Sequence, residues 1–305
     1  MSGFAARRRG RLGLCAALTL TIAAGSCAPQ RQWTENDGGV TRWIDVAGGR
    51  LKTRVYRSAD PGAAPILVIV LHGDLPEPAP SYQYEFARTV ADRTDGVVVA
   101  GVLRPGYRDP TGDQSSGDMG GAVADNYTPE VVDAVARAAR DLATEHRASA
   151  IVMVGHSGGA AIAANLLGRH AAVAQGAVLV ACGCDPTAWR AGRWAATGNR
   201  MFEGSTRSLL PLTLAAHVPP ATIVRMVVGD ADDVAPPAVS QAYAAALRSH
   251  GVQVSLTIVP GLGHNILFAP AVFHALGDVV TQLGAVMRSG GASLKLDTTS
   301  EGRHP

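Results

Sequence analysis

The 305-residue chain has little charge, few cysteines and few aromatics: 17% of residues are charged and 5% aromatic, against 47% hydrophobic. Its 27 basic and 25 acidic residues nearly balance, at +2. Four of the basic residues, Arg7, Arg8, Arg9 and Arg11, fall in an acid-free stretch, 1–26; without them 23 bases face 25 acids, a net of −2. That balance offers no basic field for a phosphate backbone, so nucleic acid is not an expected partner. Cys15, Cys27, Cys182 and Cys184 are the four cysteines, and no further cysteine or nearby histidine completes a ligand set, so no metal is expected. Cys182 and Cys184, one residue apart, have two readings: a small disulfide formed in an oxidising compartment, or two small buried residues at a strand end. No repeat of fixed period is present, and the length fits one large α/β domain or two small ones.

What is present begins with a targeting pattern. The arginines precede "LGLCAALTLTIAAGSC", an apolar run of signal-peptide length and too short to span a membrane comfortably. It ends in "AAGSCAP", which resembles a bacterial lipoprotein cleavage site, although Ala24 stands where a larger aliphatic residue is usual. The expectation is a signal peptide over 1–26, export to a bacterial cell envelope, and lipidation of Cys27 as a membrane anchor. Ordinary cleavage near Ala28 is the alternative. Residues 27–40 read as a tether, and 289–305, without apolar period, as a disordered tail.

Between these, residues 41–288 read as one domain. Runs that are apolar throughout, such as "PILVIVLHG", "GVVVAGVLRPG", "AIVMV", "GAVLVAC" and "TIVRMVVG", alternate with helical stretches. Thr128 and Pro129 form an N-cap and first-turn pair before a helix whose Val131, Val132, Val135, Ala139 and Leu142 share one face. Strands of this kind imply a mostly parallel sheet with helices on both faces, and such sheets gather their sites at the carboxyl ends of the strands.

Three candidate residues stand at such ends. "VGHSGGA" has the G-x-S-x-G form, with Ser157 between an apolar strand and a helix. A serine on so sharp a turn needs tiny neighbours two positions away, which Gly155 and Gly159 provide. A nucleophilic serine needs a base, and the base an orienting carboxylate. "GDADDVAPP" and "GLGH" follow the next strands and supply Asp232 and His264. Asp233, Asp185 and Asp230 are the alternative acids. The amides of Gly158 and Asp74 are placed to form an oxyanion hole, with His72 as a brace for that loop. Residues 185–221 read as a lid insertion, in which Trp189, Trp194, Phe202 and Leu209 line an acyl pocket or form a satellite core. Loop 104–127, with Arg104, Tyr107, Asn126 and Tyr127, follows the strand beside the nucleophile strand.

In this order, "LHGD", "RPGY", "GHSGGA", "GDADDVAPP" and "GLGH" resemble the α/β-hydrolase family over roughly residues 50 to 288. The resemblance implies an eight-stranded, mostly parallel sheet and a Ser157–Asp232–His264 triad. It also implies a lid between the sixth and seventh strands and chemistry without a cofactor. The substrate expected is a small ester or a peptide, and carboxylic esters are favoured because no acidic patch to grip a peptide amino terminus is recognisable. The alternatives are a serine peptidase resembling prolyl oligopeptidase and a non-catalytic envelope binding protein on the same scaffold.

Overall fold

The computed structural model describes residues 37–74 and 79–290. The signal segment, Cys27, most of the tether and the tail from 291 lie outside the described residues.

Eight strands form one sheet: β1 (Val40–Val46), β2 (Gly49–Arg57), β3 (Ile66–Leu71), β4 (Val97–Val102), β5 (Ala150–His156), β6 (Gly176–Val180), β7 (Ile223–Gly229) and β8 (Gln253–Val259). Their spatial order is β1-β2-β4-β3-β5-β6-β7-β8. Pairings β1–β2 and β2–β4 are antiparallel, and all others are parallel. The expected α/β architecture is the one observed.

Because successive side chains of a strand point to opposite faces, each fully buried strand feeds two cores. In β3, Leu67, Ile69 and Leu71 join one core and Ile66, Val68 and Val70 the other. The first core packs under α2 (Pro129–His146), α3 (Gly158–Arg169) and α6 (Pro237–Ser249); the second under α1 (Tyr82–Arg93) and α7 (Pro270–Gly290). Each such side chain taken out of water contributes about 1.5–3 kcal/mol. The Thr128 cap forms as read, with its side chain accepting from the amide of Val131. Among the described residues no helix is long and apolar enough to cross a membrane.

Two boundaries differ from the sequence reading. The tether was expected to run through residue 40, but Asp37 is already docked: its carboxylate accepts from Arg54 and from the Tyr56 hydroxyl, and β1 begins at Val40. The last helix also continues to Gly290, two residues into the expected tail.

The insertion between β6 and β7 folds as α4 (Pro186–Thr197), α5 (Pro211–Leu214) and two short 3-10 turns. Loop 104–127 is held from below: the fully buried Lys52 ammonium lies 2.7 Å from Asp109 and 2.8 Å from Asp113, and the Lys52 amide donates to Ser115 Oγ.

Candidate functional site

The sheet changes direction of growth at β3: the chain moves outward to β4 and then returns to lay β5 on the other side of β3. The loops leaving β3 and β5 therefore diverge and open a crevice at the carboxyl edge. Ser157 stands at the end of β5 with φ 53° and ψ −118°, a left-handed backbone that costs a non-glycine residue about 1–3 kcal/mol. The amide of Ser157 is tied to the carbonyl of Val180, which holds the turn against β6. A side chain at Gly155 would meet the Gly159 carbonyl at 2.4 Å, and one at Gly159 would meet the His72 carbonyl at 2.4 Å. The flanking glycines are therefore required by close approach of α3 to β5 and to the loop after β3.

Ser157 Oγ lies 2.9 Å from His264 Nε2. On the other side of the ring, Nδ1 lies 2.9 Å from Asp232 Oδ2 and 3.0 Å from Oδ1. Asp232 is almost fully buried, and its Oδ1 also accepts from the amides of Val234 and Ala235. With the carboxylate fixed by two backbone donors, Nδ1 is held as the protonated nitrogen, which leaves the Nε2 lone pair facing the serine hydroxyl. The three residues expected from the sequence are brought together.

The alternative acids are engaged elsewhere. Asp185 caps α4 by accepting from the Ala188 amide, Asp230 accepts from the Gly261 amide, and Asp233 is exposed.

Around the loop after β3, Gly73 packs directly on the Ser157 side chain. His72 is fully buried; its Nδ1 donates to the Gly73 carbonyl and its Nε2 accepts from the Arg104 amide. Burial above all, with Arg104 nearby, holds its pKa well below the usual histidine value. It is the expected brace. The Asp74 carboxylate accepts from Arg104 Nη1, the Tyr127 hydroxyl and the Ala124 amide. Arg104 is itself buried; burial opposes its charge, and Tyr107, Asp74 and Tyr127 more than offset it. The amides of Gly158 and Asp74 donate to no other described residue, whereas that of Gly73 donates to the Tyr82 hydroxyl.

A pocket of about 160 Å³ opens at Ser157 and His264. Ala122, Ala124, Trp189 and Val234 give it an apolar wall, and the Asp74–Tyr127 pair lies at one end. Of the four insertion residues expected either at an acyl pocket or in a satellite core, Trp189 lines this pocket. Its indole N–H donates to the Val234 carbonyl, and its ring meets Phe202 edge-on, 5.6 Å between centroids. Leu209 instead packs on the main core. Of the residues noted in loop 104–127, Tyr127 reaches the pocket, while Arg104 and Tyr107 lie buried behind it. Cys182 and Cys184 are joined as a disulfide, both buried, with Gly183 between them on the pocket wall. Among the described residues no cluster of histidines, cysteines and carboxylates is disposed to hold a metal.

The sequence reading missed the parts played here by Tyr82, His156 and the Asp74 carboxylate. The reading treated Asp74 as a backbone donor and His156 as the variable letter of a motif, and placed Tyr82 only as part of a helix.

A family model described as serine aminopeptidase, S33, matches residues 114–213. No curated protein sequence matches the chain significantly. Among solved structures, puromycin hydrolase superposes with a TM-score of 0.62 at 21% identity, over 82% of this chain and 39% of its own. The acylaminoacyl peptidase of Pyrococcus horikoshii gives 0.58 at 15% identity, over 86% and 43%. Est1E from Butyrivibrio proteoclasticus, solved with ferulic acid bound, gives 0.58 at 15% identity, over 83% and its whole length. The chain thus spans about two fifths of the first two proteins and all of the third. These superpositions show that the chain has the α/β-hydrolase fold.

Proposed function

We propose that the chain hydrolyses carboxylic esters through an acyl-enzyme formed on Ser157. The observation that carries this reading is the unbroken contact series from Ser157 Oγ to His264 to Asp232, each step near 2.9 Å. His264 removes the serine proton as Oγ attacks the carbonyl carbon, and Asp232 holds the ring and stabilises the imidazolium that forms. The Gly158 and Asp74 amides, which donate to no other described residue, receive the oxyanion. The leaving alcohol takes the proton back from His264. A water deprotonated by the same imidazole then splits the acyl-enzyme.

An ester substrate is favoured over a peptide by two features of the pocket. Its wall is apolar and its volume, about 160 Å³, suits a short or small aromatic acyl group. The one carboxylate among the described residues lining it, Asp74, is already neutralised by Arg104 and is a poor grip for a free ammonium group. The peptidase reading rests on the serine aminopeptidase match over 114–213 and on the acylaminoacyl peptidase among the structural neighbours.

The test is fluorophosphonate labelling together with a hydrolysis screen. Labelling is expected at Ser157 and lost in Ser157→Ala. Short-chain and aromatic p-nitrophenyl esters are expected to turn over faster than aminoacyl- or prolyl-naphthylamides. Preferred cleavage of the amides overturns the ester assignment, and an unlabelled folded protein overturns the mechanism in favour of a binding protein.

We also propose that 1–26 direct export and that Cys27 is diacylated, since two chains make a stable anchor where one gives marginal binding. The support is the basic start, the apolar run and the small residues before Cys27. Mass spectrometry of the native amino terminus decides: an unmodified terminus at Ala28 or beyond means ordinary secretion.

A further inference from the structure

His156 precedes Ser157, and both of its ring nitrogens are engaged. Nε2 lies 3.0 Å from the carbonyl oxygen of His264, and Nδ1 lies 3.0 Å from the Tyr82 hydroxyl. A carbonyl oxygen only accepts, so Nε2 carries the hydrogen. Burial above all lowers the pKa of this ring to about 4, so at neutral pH it is uncharged and Nδ1 is a bare lone pair. Tyr82 therefore donates to it. The Tyr82 oxygen keeps its own lone pairs and accepts the Gly73 amide hydrogen.

Each bond in this series has a single direction: Gly73 N–H to Tyr82, Tyr82 O–H to His156, His156 Nε2–H to the His264 carbonyl. The series joins the loop after β3, the start of α1, the nucleophile turn and the loop after β8. The contacts link residues 74 and 108 positions apart in the chain. Neither Tyr82 nor His156 lines the pocket at Ser157.

We propose that Tyr82 and His156 are positioning residues, which together set the Asp74 amide and the His264 imidazole relative to Ser157. The two ends of the series are the backbone of the general base and the peptide unit just before the oxyanion donor. By occupying the Gly73 N–H, Tyr82 turns that amide away from the substrate and leaves the following one, Asp74, to receive the oxyanion. Displacement by a fraction of an ångström at either end lengthens a transition-state contact while leaving the acyl pocket unchanged. The loss is therefore expected in kcat, with KM preserved. This inference rests on the hydrolase reading above.

The experiment is steady-state kinetics on a p-nitrophenyl ester for Tyr82→Phe, His156→Leu, His156→Gln and the double variant Tyr82→Phe/His156→Leu, with Ser157→Ala alongside. Tyr82→Phe is expected to lower kcat about 10- to 100-fold with KM within about threefold. Because one series is cut in either case, the double variant is expected to be no worse than the poorer single variant. His156→Gln, which keeps a donor toward the His264 carbonyl, is expected to recover part of the loss seen in His156→Leu. If His156→Leu does not fold, Tyr82→Phe and His156→Gln carry the test alone. A Tyr82→Phe enzyme with kcat within twofold of wild type, a loss confined to KM, or losses that multiply in the double variant overturns the proposal. Should Ser157→Ala retain turnover, it is the hydrolase reading itself that fails; an inactive Ser157→Ala beside a fully active Tyr82→Phe removes only the positioning role.

Discussion

Four aspartates follow the two strands beyond β5, and the difference among them lies in what each carboxylate already accepts. Asp185 is bound by the Ala188 amide of the helix it caps, Asp230 by the Gly261 amide of the loop after β8, and Asp233 faces solvent. Asp232 is bound by two amides and still presents both oxygens to His264 Nδ1. Replacing it with Asn puts an amide where the ring needs an acceptor and favours the wrong tautomer. Asp232→Asn is expected to lower kcat by about 10⁴ with little change in stability. Asp185→Asn, Asp230→Asn and Asp233→Asn are expected to stay within about tenfold of wild type, because none touches the ring. The same ester assay decides, and a crippled Asp185→Asn would move the acid to the loop after β6.

At the scale of elements, the loop after β4 is kept in place by a charge buried beneath it. Lys52 leaves β2 fully buried and meets Asp109, also fully buried, and Asp113. Removing one member of such a pair leaves the other as an uncompensated charge, which costs about 3–5 kcal/mol. Lys52→Met is expected to destabilise the protein by that amount in urea unfolding. Adding Asp109→Asn is expected to restore a good part of it, since the orphaned charge is then removed as well. Independent, additive losses would mean that the pair contributes no mutual stabilisation.

That loop also marks how far the sequence alone could be read. The strands and helices were legible because their apolar periods differ, and the elbow was legible because glycines must surround a strained serine. Asp232 and His264 were legible because each follows a strand, and parallel strands deliver their loops to one edge. Lys52 gave no signal, since a lysine in "RLKTRVYR" looks like any strand residue until the antiparallel pairing of β2 with β4 sets Asp109 over it. Tyr82 and Tyr84 were equally indistinguishable, both being helix residues near the start of α1. The first meets His156 and the second Asp109 because α1 lies along the sheet in one orientation. Contacts of this kind depend on the lateral order of strands, which no local pattern encodes.

For the molecule as a whole, the two buried histidines that frame the site predict how it fails in acid. His72 is fully buried and His156 nearly so, and desolvation is the first cause that depresses each. An ordinary histidine in the unfolded chain takes up its proton near pH 6.5, whereas His156 resists until about pH 4 and His72 holds out well below its usual value. The unfolded chain therefore binds more protons throughout this window, and stability falls as pH falls. The contribution is fully present above pH 6.5. Below it, a ring that stays neutral to about pH 4 withdraws about 1.4 kcal/mol per pH unit, so His156 removes about 2 kcal/mol between pH 7 and pH 5, and His72 adds to the loss in the same direction. The hydrogen bonds explain why neither ring yields. A second proton on His72 would displace the Arg104 amide from Nε2, and one on His156 would displace the Tyr82 hydroxyl from Nδ1. Partly buried His146, depressed first by burial, acts in the same direction with a smaller effect. For a domain of this size the His156 share alone corresponds to a fall in Tm of about 4–8 °C between pH 7 and pH 5, before most carboxylates titrate. Thermal melts followed by circular dichroism measure it directly. The His156→Gln variant, which cannot titrate at that position, is expected to show a shallower slope, and a wild-type Tm that stays flat from pH 7 to pH 5 would mean that these rings take up protons in the folded protein as readily as in the unfolded one.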